Sequence, residues 1–250
     1  MEALTQDRVQ LCGALSAELG RQRVDTLLPG RKGRLLFACL VIERDRELSR
    51  GELIEMIWHD KPPVDPDATL ATLLTRMRAA VGRERIHGRE DLRLELSDGA
   101  WVDWEVALTS VAEAERLLGA GHAGAGLDVA TAGIAIARNP LLSGLESPWL
   151  QDCRRRLADA HAALLETAAQ AALRLGGAHL PAAERGAREL VRRQPYRESG
   201  YALLMEAHAS RGNSAEALRV YDGLRRRLRE DLGLTPAPTV TALATHLLAA

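Results

Sequence analysis

Two short helical segments separated by a proline-rich turn constrain the fold of this chain more than any other feature. The first segment begins at Ser49, and Glu52 follows three residues later. This is the spacing of a capping box, in which each residue's side chain accepts a backbone N–H of the other. Asp67 is the predicted N-cap of the second segment, which runs to about Val81. The turn between them contains three prolines, which disfavour helix: Pro62, Pro63 and Pro66.

The flanking residues predict β-structure and one more helix. Weak alternation over residues 8–28 predicts two or three short strands, and helical spacing of apolar residues predicts a helix over residues 31–44. A later group of apolar residues alternates around the turn Ser97-Asp98-Gly99, a hairpin signature. These residues are Leu92, Leu94, Leu96 and Val102. Strands, three helices and a closing hairpin predict a winged helix-turn-helix over residues 1–105, with that hairpin as the wing.

The remainder of the chain, residues 106–250, predicts helices only. Breaks at glycines and prolines divide it into helices over residues 106–119, 125–138, 147–176, 181–193, 197–211, 214–230 and 236–249. Antiparallel helix pairs with small residues at their crossings resemble tetratricopeptide repeats (TPR). The expected fold class is therefore an α+β winged helix-turn-helix followed by an all-α, TPR-like helical-repeat domain.

Composition favours a folded protein, and the sequence contains no recognisable catalytic motif. Hydrophobic residues make up 46% of the chain and aromatic residues 3%, which suits a helical core of Leu, Ala and Val. No segment approaches a membrane span and no signal sequence follows Met1, so we expect the cytoplasm as the location. Three separated cysteines and seven scattered histidines predict neither a disulfide framework nor a metal site. We expect no catalytic residue and no cofactor.

The helix that begins near Asp67 holds the candidate base-reading residues. Its apolar positions are spaced for a core, which leaves a polar set on the outer side: Thr69, Thr72, Thr75, Arg76 and Arg78. Arginine can donate two hydrogen bonds to guanine, and threonine can contact a base edge or the thymine methyl group. Alternatively, these residues form a solvated helix face, with Arg78 in an ion pair with a nearby carboxylate.

Six further cations are candidates for contacts with the DNA backbone. Arg31, Lys32 and Arg34 stand at the start of the first predicted helix, and Arg50 at the start of the second, where helix N-termini favour phosphate. Arg89 and Arg93 belong to the predicted wing. Alternatively, Arg50 only pairs with Glu52 or Glu55.

The balance of charge opposes a DNA-binding role. Residues 1–106 contain 16 Lys and Arg against 19 Asp and Glu, a net charge of −3, and residues 107–250 contain 17 against 15, a net charge of +2. Phosphate contacts usually depend on a basic surface. DNA binding would therefore depend on a local group of arginines.

Over nearly its full length, the chain resembles small transcriptional activators of the Streptomyces antibiotic regulatory protein (SARP) type. The resemblance pairs an OmpR-type winged helix-turn-helix with a bacterial transcriptional activator domain (BTAD). The residues that carry it are Gly33–Leu40, Leu48–Trp58, Pro62-Pro63, Thr75–Arg78, Gly99, Val102-Asp103, Pro148-Trp149, Gln194–Glu198, Leu204-Met205, Gly212–Tyr221 and Glu230–Gly233. The resemblance implies an activator that binds promoter direct repeats, as a homodimer at least on DNA, and recruits RNA polymerase and its sigma factor.

The resemblance also implies control of secondary-metabolite gene clusters and association with the nucleoid. A second hypothesis remains open. The chain could be a helical-repeat scaffold whose DNA-binding domain has lost affinity and which acts through protein partners. The net charge of −3 in residues 1–106 motivates this alternative.

Overall fold

The computed structural model describes residues 6–249 and divides the chain into two compact units. The first unit consists of the described residues up to Val106 together with Ile136–Ala158. The second unit consists of Ala107–Ala135 and the described residues from Asp159 onward. The single boundary predicted after residue 105 lies next to Val106, but it did not anticipate that residues 136–158 pack with the first unit. Residues 1–5 and 250, at the outer ends of the two predicted domains, lie outside the described residues.

A small sheet begins the first unit. It contains β1 (Arg8–Gln10), β2 (Ser16–Leu19), β3 (Gln22–Arg23) and a late strand, Trp101–Val102, in the order β3, β2, β1 and then the late strand. The first three strands pair antiparallel, and the late strand pairs parallel with β1. The prediction of two or three strands in residues 8–28 is thus confirmed.

Two helices follow the first three strands: α1 (Gly30–Ile42) and α2 (Arg50–Trp58). The two-residue strand β4 (Leu48–Ser49) lies between them in the chain. The predicted capping box is present: the Ser49 hydroxyl accepts from the Glu52 backbone N–H, and the Glu52 carboxylate accepts from the Ser49 N–H at 2.9 Å. The backbone hydrogen bond of Ser49 and the side chains of Arg46 and Ser49 lower the pKa of Glu52 to about 2. Trp58, the last residue of α2, is half-buried, with the Lys32 ammonium 6.0 Å from its ring centroid.

The third helix, α3 (Pro66–Val81), begins two residues earlier than predicted. Its N-cap is Asp65, whose carboxylate accepts from the Ala68 N–H at 2.9 Å, and Pro66 occupies the first helical position. The assignment of Asp67 as the N-cap was therefore wrong. Proline lacks a backbone N–H, but the first helical residue needs none, so Pro66 can begin the helix that it was expected to prevent.

The hairpin of the first unit lies earlier in the chain than predicted. Strand β5 (Ile86–His87) pairs antiparallel with β6 (Asp91–Leu94), which also pairs with β4. The turn between β5 and β6 is therefore residues 88–90, not Ser97-Asp98-Gly99. The latter residues instead lead to the late strand, β7 (Trp101–Val102), which joins the other sheet beside β1. Alternation had correctly marked Leu92 and Leu94 as buried, but it could not identify their partner strand.

The rest of the described chain is helical, and all seven predicted helices are present. They are α4 (Asp103–Gly119), α5 (Ala123–Ala137), α6 (Pro148–Leu175), α7 (Leu180–Arg193), α8 (Glu198–Ala209), α9 (Ser214–Leu232) and α10 (Pro238–Ala249). The chain is therefore a small β-rich N-terminal region followed by helices.

Small residues allow close contacts in the second unit, as the sequence indicated. Gly133 of α5 is buried, and a Cβ placed there would lie 2.8 Å from Leu164 and 2.9 Å from Ser110. Tyr201 is buried in a cluster with α9 and α10, and Tyr221 packs against the same cluster. Both tyrosines thus contribute to the packing of the second unit.

Candidate nucleic-acid interface

Helix α3 has a buried side and an exposed side, and a capping residue stands at each of its ends. Asp65 caps its start, and Gly82, in a conformation with φ of +105°, ends it. The buried side is formed by Leu70, Leu74, Met77, Ala80 and Val81. Thr72, Thr75 and Arg76 are exposed, whereas Thr69 and Arg78 are half-buried. Three of the five predicted base-reading residues therefore lie fully on the solvent side.

The three threonines are oriented by hydrogen bonds to their own helix. The hydroxyls of Thr69, Thr72 and Thr75 donate to the carbonyls of Asp65, Ala68 and Ala71 at 2.7, 3.0 and 2.9 Å. Bonds of this type are a usual alternative for threonine within a helix. Because each hydroxyl hydrogen is used, the groups left for DNA are the oxygen lone pairs and the methyl group. The exposed Thr72 and Thr75 are thus suited to accept a hydrogen bond or to contact a thymine methyl group.

Arg76 lies on the exposed side of α3. Its side chain is exposed and has neither a hydrogen bond nor an ion pair with any residue between 6 and 249. Thr72 lies one helical turn earlier on the same side. A free guanidinium beside an ordered threonine is able to form the paired hydrogen bonds that arginine makes with guanine.

Arg78 lies on the same helix, but its guanidinium has partners. Its Nη2 donates to the Gly88 carbonyl at 2.7 Å and its Nε to the Ile86 carbonyl at 3.4 Å. Both acceptors belong to the hairpin, so the alternative considered for Arg78, an ion pair with a nearby carboxylate, is not what the structure shows. Arg78 connects the end of α3 to the hairpin backbone.

The hairpin carries two of the predicted backbone-contacting residues. Arg89 lies in the turn, and Arg93 lies on β6 opposite His87, between the buried Leu92 and Leu94. Both arginines are exposed, and neither has a hydrogen bond or ion pair within the described part of the chain. Beside the hairpin, the Glu95 carboxylate contacts the His87 imidazole at 2.5 Å.

Arg50 ties the start of α2 to both neighbouring elements. Its Nε contacts an Asp67 carboxylate oxygen at 3.2 Å, its Nη2 donates to the Asp67 carbonyl at 2.9 Å, and its backbone N–H donates to the Glu90 carbonyl at 3.1 Å. The ion pair expected with Glu52 or Glu55 is therefore absent, and Asp67 takes that place. The structure thus brings together the start of α2, helix α3 and the hairpin turn.

The cations at the start of α1 have different surroundings. Arg31 donates to the Gly144 carbonyl, and Arg34 lines a cleft together with residues 142, 143 and 145 of the same unit. The Lys32 ammonium donates to the Ile57 carbonyl, and burial, together with the nearby Arg31, lowers the pKa of Lys32. In the described structure, no hydrogen bond or ion pair joins the side chains of these three residues to α3 or to the hairpin.

Arg83 was not singled out from the sequence. It lies immediately after Gly82, is exposed and has no hydrogen bond or ion pair with other described residues. Its position directly after the predicted reading helix was the signal that could have identified it.

A metal site and a membrane-spanning helix are both absent from the described residues. Within residues 6–249, no three His, Cys, Asp or Glu side chains converge as a metal site would require. No helix in that range is long and apolar enough to cross a membrane. The three cysteine side chains are buried, and burial raises the pKa of each thiol, to about 12 for Cys153.

Comparison with known proteins gives related regulators. The chain is 28% identical over 243 residues to the regulatory protein AfsR of Streptomyces griseus, covering 97% of this chain and 24% of AfsR. It is 26% identical over 258 residues to the transcriptional regulatory protein MoaR1 of Mycobacterium tuberculosis, covering 99% of this chain and 82% of MoaR1. The chain thus spans about a quarter of AfsR but most of MoaR1.

A solved structure shares the fold. It is Mycobacterium tuberculosis EmbR in complex with a low-affinity phosphopeptide, and it matches with a TM-score of 0.83 and 22% identity. The match covers 98% of this chain and 65% of the EmbR chain.

These relatives support a role for the chain in transcription regulation. The bacterial transcriptional activator domain profile matches residues 102–248, more than half of the chain. The chain therefore belongs to the bacterial transcriptional activator domain family, and its resemblance to SARP-type activators is confirmed.

Proposed function

We propose that the chain is a sequence-specific DNA-binding transcriptional activator. In this proposal, residues 1–105 act as a winged helix-turn-helix and residues 106–250 as a TPR-like activator domain. Helix α3 enters the major groove, and the hairpin of β5 and β6 acts as the wing. The observation that carries the proposal is the free, exposed guanidinium of Arg76 on α3, a helix joined to the hairpin through Arg78.

The residues of the interface divide into three roles under this proposal. Thr72, Thr75 and Arg76 contact base edges, because their side chains are exposed on one helix. Arg89 and Arg93 contact phosphates beside the groove, because they are exposed cations on the hairpin. Thr69, Arg31, Lys32, Arg34 and Arg50 were predicted as further contacts, and the partners of Arg50, Arg31 and Lys32 argue for structural roles instead.

The wider role rests on the SARP resemblance. The activator would bind promoter direct repeats as a homodimer, recruit RNA polymerase and its sigma factor, and switch on secondary-metabolite genes such as an antibiotic pathway. Its place in the cell would be the cytoplasm, at the nucleoid. The chain covers only 24% of AfsR. These properties of whole regulators are therefore proposed for the chain and rest on the resemblance.

The scaffold alternative has one observation in its favour. Residues 1–106 carry a net charge of −3 (16 Lys and Arg against 19 Asp and Glu), and Glu90 and Asp91 directly follow Arg89 in the hairpin. Carboxylates at this position repel phosphate. A scaffold would keep the fold of the first unit without measurable DNA affinity.

A mobility-shift titration against the promoters adjoining the chain's own gene, at two salt concentrations, tests the proposal. We expect a sequence-dependent shift that weakens steeply as salt rises, since bound arginines release counterions from DNA. Arg76→Ala should weaken specific binding by roughly 5- to 150-fold, the value of one good base contact at about 1–3 kcal/mol. Binding to unrelated DNA should change much less.

Arg185→Ala is the matched control, because Arg185 is also an exposed helical arginine without a partner in the described structure, but on α7. It should bind like the wild type. Equal binding by Arg76→Ala and wild type would show that α3 does not contact the bases as proposed. The absence of any shift at low salt, with the protein folded, would instead support the scaffold.

A further inference from the structure

Arg78 differs from the other polar residues of α3 because two of its guanidinium nitrogens, Nε and Nη2, donate to the hairpin backbone. The Nε–Nη2 edge of a guanidinium is one of the two edges that bind an acceptor pair such as guanine O6 and N7. In Arg78 this edge faces the carbonyls of Ile86 and Gly88, at 3.4 and 2.7 Å. Reading a base with this edge would require both hydrogen bonds to break.

The carbonyl held by Arg78 opens the turn that carries Arg89. Gly88 has a φ of +82°, and a Cβ there would lie 1.7 Å from the Asp91 carbonyl oxygen, so the turn is tight. On the other side of Arg89, the Glu90 carbonyl accepts the Arg50 N–H at 3.1 Å. Arg89 therefore stands between two anchored carbonyls, one fixed by the end of α3 and one by the start of α2.

We propose that Arg78 is a positioning residue that holds the hairpin turn against the end of α3, so that Arg89 meets a phosphate while Arg76 meets a base edge. The inference rests on the proposed DNA-binding function and assigns Arg78 a task other than base reading. Arg78 fixes the spacing between the two contacts through the Gly88 carbonyl. Its own charge neutralises no phosphate.

The test is a double-mutant cycle measured by the salt dependence of DNA binding. The dissociation constant of the full chain for its promoter site is determined across a range of salt for four proteins: wild type, Arg89→Ala, Arg78→Met and the double variant. Each lost phosphate contact on B-DNA reduces the slope of log K against log salt by about 0.9. We expect both single variants to lose about this amount, and the double variant to lose no more than either. The preferred operator sequence should remain that of the wild type.

Three results would overturn the inference while leaving the proposed function intact. Additive slope losses in the double variant would mean that Arg78 contacts a phosphate itself. A changed base preference in Arg78→Met would make Arg78 a reader. A wild-type slope in Arg78→Met or in Arg89→Ala would mean that there is no contact for Arg78 to position.

The folding of Arg78→Met and the DNA binding of the wild type are both checked. Should Arg78→Met not fold, as judged by circular dichroism, Arg78→Gln takes its place with the same expected loss of slope, because its amide can still donate to Ile86 from the position of the Arg78 Nε but is too short to reach the Gly88 carbonyl. A wild-type protein that is folded but binds no promoter DNA would overturn the proposed function, and this inference with it.

Discussion

The carboxylate of Asp7, a residue with 0% of its surface exposed, forms an ion pair with Arg85. The distance from Arg85 Nη1 to Asp7 Oδ2 is 2.6 Å. The same carboxylate accepts the backbone N–H groups of Gly20 at 2.6 Å and Ser97 at 2.7 Å. Asp7 thereby joins three segments of the first unit: the strand region at its start, the turn that follows α3, and the residues that lead to β7. The ion pair links Arg85, which directly precedes the β5–β6 hairpin, to the residue that directly precedes β1.

Replacing Asp7 with asparagine should destabilise the first unit strongly. Asp7→Asn preserves the shape but removes the charge, and it turns an NH₂ group toward donors that need an acceptor. Removing one partner of a buried ion pair typically costs about 3–5 kcal/mol, and we expect about 3 kcal/mol here because Arg85 keeps some contact with water. Urea unfolding followed by circular dichroism measures the loss.

Asp98→Asn is the control for this variant, because Asp98 is an exposed carboxylate without a partner in residues 6–249. It should remain within about 0.5 kcal/mol of the wild type. An Asp7→Asn protein as stable as Asp98→Asn would contradict the role of the buried pair.

Acid should remove the contribution of Asp7 in a defined pH range. Burial alone would raise the pKa of Asp7, but the hydrogen bonds from Arg85, Ser97 and Gly20 outweigh it and lower the pKa below 3.8. A carboxyl whose pKa is lower in the folded state stabilises the fold above its unfolded pKa. This stability is therefore complete above about pH 4 and is lost as the pH falls through the folded-state pKa.

Unfolding free energies measured between pH 6 and pH 2 test this expectation. The difference in stability between the wild type and Asp7→Asn should stay constant above about pH 4 and shrink below it. A difference that stays constant down to pH 2, with both proteins still folded, would show that Asp7 does not titrate as stated.

The location of the hairpin turn can be tested with two glycines. Gly88 and Gly99 both have positive φ, at +82° and +74°, but only Gly88 has backbone in the space of a Cβ. Gly99→Ala should cost about 1 kcal/mol, the penalty for a left-handed alanine. Gly88→Ala should cost several times more, because the Asp91 carbonyl must move and the β5–β6 hairpin with it. Chemical denaturation compares the two.

Equal costs at the two glycines would favour the turn that the sequence suggested, at Ser97-Asp98-Gly99. The same pair also informs on function. Since Gly88 directly precedes Arg89, Gly88→Ala should reduce the salt dependence of DNA binding, whereas Gly99→Ala should leave it unchanged.

The structural features predicted correctly from sequence are those set by local signals. The Ser49–Glu52 capping box lies within four residues, and each helix from α4 to α9 ends within three residues of a glycine, an asparagine or a proline that is visible in the sequence. The hairpin was misplaced because alternation at Leu92 and Leu94 identifies a buried face but not the strand that pairs with it. The partner of β6 depends on contacts that no local pattern contains.

The candidate site follows the same division. The exposure of Thr72 and Arg76 could be predicted, because helical periodicity alone decides which side of α3 faces solvent. The partners of Arg50 and Arg78 could not. Arg50 binds Asp67, 17 residues away, rather than the neighbouring acids of its own helix, and Arg78 binds backbone carbonyls that exist only once the hairpin has formed.

The close contact at Gly133 provides a test of helix packing in the second unit. A Cβ at this position would lie 2.8 Å from Leu164 and 2.9 Å from Ser110, so Gly133→Ala forces side chains of a packed core to shift. Overpacking of this kind typically costs about 1–3 kcal/mol, which exceeds the gain in helix propensity from alanine.

Gly223→Ala on α9 is the matched control, because a Cβ at Gly223 would have no atom within 4 Å and the backbone there is helical. We therefore expect opposite signs in thermal unfolding: Gly133→Ala lowers the Tm, and Gly223→Ala raises the stability by about 0.5–1 kcal/mol. A stabilising effect at both positions would mean that α5 does not approach Leu164 as closely as the structure shows.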